Sequence, residues 1–70
     1  MKSIGGINMC EADAFVIENN EEKKVLSDVD IVEFKDDKVI LKNIFGEQQI
    51  LTNVKFKLYS NRERKLVFER

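Results

Sequence analysis

Turn-forming residues recur along this chain at intervals of roughly eight to twelve, and the segments between them are short. That punctuation leaves no stretch of about ten or more residues with a 3.6-residue apolar period, so a sizeable helix is excluded. The segments instead alternate. Cys10, Ala12, Ala14 and Val16 point one way, and Glu11, Asp13, Phe15 and Ile17 the other. Val54, Phe56 and Leu58 alternate with Lys55, Lys57 and Tyr59, which places the first three toward a core. Strands are expected at Cys10–Ile17, Lys24–Leu26, Val29–Lys35, Lys38–Ile44, Gln48–Thr52, Val54–Tyr59 and Lys65–Glu69. Asn19-Asn20, Asp36-Asp37, Phe45-Gly46-Glu47 and Ser60–Arg64 supply turns, and with no proline in the chain the turns rest on Asn, Asp and Gly. The pair 29–35 and 38–44 is the clearest hairpin.

The expected fold is all-β: a small barrel or sandwich of about six or seven short antiparallel strands. Barrel closure would remove most exposed edges. Phe34, Val39, Leu41, Phe56 and Leu58 would fill so narrow a barrel and leave no room for an internal ligand. Function is then expected on the surface, at an open edge or between subunits. Residues 1–8, with Gly5-Gly6 and little periodicity, read as a flexible leader, and residues 9–70 as one domain. A second methionine, Met9, stands where translation could also begin.

A chain of 70 residues buries only about 60% of the surface it exposes when unfolded, and small domains often gain stability by oligomerising. One cysteine rules out an internal disulfide and fits a reducing, cytoplasmic setting. There is no apolar run of membrane-spanning length and no signal-peptide core. The net charge of −1 is unevenly placed. Residues 1–40 hold five Lys against ten Asp/Glu, and residues 41–70 hold seven Lys/Arg against three Asp/Glu. Opposite charges meeting across strands explain this more economically than an acidic face and a basic one.

Catalytic constellations are absent. The chain has no histidine, hence no Ser-His-Asp or Cys-His set, and it has no glycine-rich phosphate loop. A barrel this small also lacks the cleft that would tune a carboxylate pair. Two surface features remain. Lys55, Lys57 and Tyr59 share an outward face, with Arg62, Arg64 and Lys65 beyond, an arrangement suited to single-stranded RNA through phosphates and stacking. A lone aromatic and a negative net charge weigh against strong nucleic-acid binding. Cys10 is the sole thiol, on a face whose small residues would let another backbone approach. Taken from spacing alone, it is more simply a packed cysteine, since metal sites normally show several side-chain ligands.

The stretch Met9-Cys10-Glu11-Ala12 resembles the Met-Cys-x-Ala opening of the CooT-like family. These are small nickel-binding accessory proteins linked to carbon monoxide dehydrogenase maturation, many of them catalogued as predicted RNA-binding proteins. Val29-Asp30-Ile31-Val32-Glu33-Phe34, then Asp37–Leu41 and Ile44–Glu47, are similar to the family's middle, and the segments around Leu58 and Leu66 to its end. The resemblance covers residues 9 to about 69 and implies an SH3-like barrel that forms a homodimer. It implies one Ni(II) shared by the Cys10 thiolates of two subunits, with delivery to a metalloenzyme client. Twofold symmetry makes two sulfurs of one, and backbone nitrogens complete the square plane that Ni(II) accepts. Ala12 and Ala14 are expected to let the two subunits' strands close up. Family members begin at the Met-Cys pair, whereas eight residues precede Met9 here, so with that leader retained Cys10 carries an amide rather than a terminal amine.

Overall fold

The computed structural model describes residues 6–70, with side chains from Glu11 onward. Six strands, β1 (Gly6–Glu18), β2 (Glu21–Lys35), β3 (Lys38–Asn43), β4 (Gln48–Thr52), β5 (Lys55–Ser60) and β6 (Lys65–Glu69), form one sheet in the order β4-β3-β2-β1-β6-β5. No helix occurs among the described residues. The expected small all-β fold is therefore present, curled into a barrel-like shape that stops short of closure, with β4 and β5 at the two ends. Neighbours pair antiparallel with one exception: β1 and β6 run parallel, from Asp13↔Lys65 to Ile17↔Glu69.

Residue chemistry accounts for the turns. Asn19 and Asn20 both adopt positive φ (54° and 65°), and Glu18 pairs with Glu21 across them. Two left-handed residues in a two-residue loop match the twist of the flanking strands, and Asn tolerates that conformation. Asp36 (φ 54°) begins the loop between Lys35 and Lys38 in the same manner. Gly46 (φ 86°) serves the β3–β4 turn, which is organised by Asn43. The Asn43 side chain donates to Ser27 O (3.1 Å) and Glu47 Oε1 (2.7 Å) and accepts from the Phe45 and Glu47 amides (3.1 and 2.8 Å).

Strand boundaries differ from expectation in two places. Lys24–Leu26 and Val29–Lys35 are parts of one strand, β2, because Asp28 takes positive φ (56°) and bends the strand without ending it. The Asp28 amide donates to Asp13 Oδ1 (3.3 Å) and its carbonyl accepts from Ile44 N (3.2 Å), so the bend is tied to β1 and to the end of β3. Strand β1 starts at Gly6 rather than Cys10, with Gly6, Ile7 and Asn8 paired to Glu33, Val32 and Ile31. Of the expected leader, residues 1–5 lie outside the described residues.

The core is built from Ala14, Val16, Leu26, Val29, Val32, Val39, Leu41, Leu51, Leu66 and Phe68. Val39 and Leu41 are in it as expected; Phe34, Phe56 and Leu58 are not, being 44, 52 and 40% exposed. Phe56 and Leu58 lie on β5, which ends the sheet, and Phe34, near the end of β2, shares an open cleft with Phe56. A register shift between Phe56 and Leu58 also breaks the alternation that would have buried both. Phe56 meets the core edge-on, its ring 6.0 Å from that of Phe68 at 76°. The uneven charge resolves within the chain: Lys42–Glu33, Arg64–Glu11, Lys65–Glu22 and Arg70–Glu18 each join a cation of the second half to an anion of the first.

Candidate functional site

Cys10 lies on β1, and two features of the backbone single out its position. The β1–β2 register passes from Asn8↔Ile31 to Ala12↔Val29. Met9, Cys10 and Glu11 thus stand against Asp30 alone, and a bulge of this kind leaves its extra residues outside the ladder. Strand β6 covers the other edge of β1 from Asp13 onward. Among the described residues, the stretch from Gly6 to Ala12 has β2 as its one strand neighbour. The Cys10 side chain itself lies outside the described residues.

Around this strand the polar groups are uneven in their satisfaction. Asp30 Oδ1, opposite the bulge, is buried with no hydrogen-bond partner among the described residues. Just beyond Cys10, a cleft of about 390 Å³ is lined by Glu11, Ala12, Asp13, Asp28, Glu63 and Arg64. Two of its four carboxylates are paired: Arg64 meets Glu11 at 3.5 Å, and Lys24 meets Asp13 at 3.6 Å. Among the described residues no group of three or more Cys, Asp or Glu is placed to hold a metal.

Ala12 and Ala14 do not line an approach surface. They are 2 and 0% exposed, facing the protomer's own core with Val16. The small side chains make room for this chain's packing, with Ala14 in the same cluster as Phe68 and Leu66. The expected close approach of two subunits through that face is therefore corrected. What a second strand can reach is the hydrogen-bonding edge of Gly6–Ala12, which lies in the plane of the sheet.

The basic face is largely spoken for within the chain. Lys57 pairs with Glu69 at 3.3 Å, and Tyr59 donates its hydroxyl to Asn61 Oδ1 at 3.3 Å. Arg64 donates to Glu11 O at 3.0 Å. Lys65 binds Glu22 at 2.7 Å and lies 5.0 Å over the Phe15 ring. Its pKa is raised above 10.5, chiefly by the hydrogen bond with Glu22. Lys55 and Arg62 form no ion pair among the described residues, so two separated cations and a hydrogen-bonded tyrosine are what that face offers.

Sequence reasoning reached Cys10 but missed the bulge, the uncovered edge and Asp30. An aspartate inside the apolar run Val29–Phe34 was the available sign of a break in the ladder.

Comparison with known proteins adds the following. The family described as CO dehydrogenase accessory protein CooT matches residues 9–69. The crystal structure of a provisional CooT from Carboxydothermus hydrogenoformans superposes with a TM-score of 0.79 at 30% identity, covering 87% of this chain and 97% of that one. Among curated proteins none matches.

Proposed function

Because this chain belongs to the CooT family of CO dehydrogenase accessory proteins, we propose that it works without catalysis, as a cytoplasmic homodimer that holds Ni(II) between the Cys10 thiolates of two subunits and supplies it to a metalloenzyme. The observation that carries this reading is the place of Cys10 in β1. The sole thiol of the chain sits in a bulge, on the stretch of strand that β6 leaves uncovered. An antiparallel partner strand added to that edge about a twofold axis returns the same residue on both sides. One thiolate thereby becomes two. Backbone groups released from the ladder by the bulge are available to complete a square plane, a geometry that Ni(II) accepts. Among the described residues no group of three or more carboxylates is placed to hold a metal, and a second Cys10 would supply the donor that one chain lacks.

Residue chemistry assigns the roles. Cys10 supplies the charge-bearing donor, and must lose its proton to do so. Strand β1 fixes its position, and β2 holds β1 from the far side. Nickel would contribute nothing to a reaction here: it is cargo.

Titration with Ni(II), followed by thiolate-to-metal absorption, tests the reading. Wild type should saturate at half a metal per chain, and Cys10→Ser should lose the absorption band and the stoichiometry together. Affinity should fall as pH drops, since protons compete for the sulfur. Equal spectra in the two proteins, or one metal per monomeric chain, would remove it.

A further inference from the structure

Strand β5 is an anomaly in so small a fold. It ends the sheet, with β6 as its sole neighbour among the described residues, so its outer backbone groups face solvent. Every residue from Lys55 to Tyr59 is exposed, including Phe56, Leu58 and Tyr59. Beside it, Phe34 and Phe56 line a cleft of about 480 Å³ with Val39, Val54, Lys38 and Lys55. An open edge flanked by aromatic and aliphatic side chains is what strand addition by another polypeptide requires.

We propose that the outer edge of β5 docks an extended segment of a partner protein in which acidic and apolar residues alternate, added to the sheet beyond β5. Alternation follows from strand geometry: successive side chains of the incoming segment fall on opposite faces. One set meets Phe56 and Phe34, which share a cleft. The acidic character follows from charges left unmatched. Lys35 and Lys38 face each other across the β2–β3 register, a like-charge pair that is unfavourable by itself. Neither they nor Lys55 has a carboxylate partner among the described residues, although Asp36 and Asp37 stand in the same turn and cleft. Lys57, held by Glu69, adds a fourth cation along the strand.

A second copy of this chain is a poorer occupant. Antiparallel pairing of β5 with itself crowds both sets of lysines around the axis, and edge lysines are a common device against such pairing. Pairing β5 with β4 of another copy is heterologous and, unless a ring closes, generates open fibres. This docking edge is separate from the Gly6–Ala12 edge of β1, so it stands whether or not nickel is bound.

The test uses the full chain and a synthetic peptide of about eight residues that alternates glutamate and valine. Amide hydrogen exchange should slow at residues 55–60 as peptide is added. Lys55→Glu should weaken binding several-fold, and the same peptide with lysine for glutamate should give no protection. The proposal is overturned if residues 55–60 gain no protection at millimolar peptide, or if Lys55→Glu binds as well as wild type. It is equally overturned if those amides become protected with rising protein concentration alone, which would assign the edge to a second copy. Protection by a short oligouridylate in place of the peptide would assign it to RNA.

Discussion

At the scale of single residues, the most consequential side chain outside β1 is Asn43. It is 6% exposed and makes four hydrogen bonds joining β2 to the β3–β4 turn. Removing one partner of a buried hydrogen bond costs the full desolvation of whatever it leaves unpaired. Asn43→Ala strands two amides, and should lose more than about 2 kcal/mol in urea denaturation. Lys65 gives a second prediction. Its pKa is raised above 10.5 by Glu22, so its pairing stabilises the fold fully below the unfolded value and is lost as pH climbs through the folded one. Thermal unfolding above pH 10.5 should show a steeper loss of stability in wild type than in Lys65→Met. Equal slopes would place the alkaline transition elsewhere. Asn43 fell inside the expected strand Lys38–Ile44, and its role was not legible there, because its partners Ser27 and Glu47 come from separate segments.

At the scale of elements, β1 serves two masters. Its inner face of Ala12, Ala14 and Val16 packs in the core, and its N-terminal edge stays open. Alternation along the strand was legible in the residues themselves. Which alternate face would be inside was not, since small residues serve a core and an interface equally well. Ala14→Leu decides between these experimentally. Overpacking a fully buried site costs about 1–3 kcal/mol. The loss should appear in the protomer's own unfolding at every protein concentration. An effect confined to dimer dissociation would return Ala14 to an intersubunit role. The bend at Asp28 makes a related point about β2: a left-handed residue between two short apolar runs looks like a turn, and only pairing on both sides shows one strand.

For the whole molecule, an open sheet of six strands is a fold with spare edges. We propose β1 for a second subunit and β5 for a partner segment. The first assignment couples metal, assembly and stability. A domain of this length has a stability of about 0.05–0.15 kcal/mol per residue, so any ligand bound by the native state is felt. Melting temperature should rise with Ni(II) and with protein concentration in wild type. In Cys10→Ser the nickel dependence should vanish while the concentration dependence is retained. A melting point insensitive to both in wild type would contradict the shared site.

The residues of this chain by themselves determined that it is all-β, where most turns fall, and that Cys10 is the one thiol available. Those properties are local: alternation, Asn and Asp in left-handed turns, and a count of donors. Only the tertiary structure decided which edges remain unpaired, that Phe34, Phe56 and Leu58 stay half in solvent, and that Ala12 and Ala14 face inward. Each of these depends on which distant strands become neighbours and on where the curling sheet fails to meet itself. Local periodicity carries no information about that.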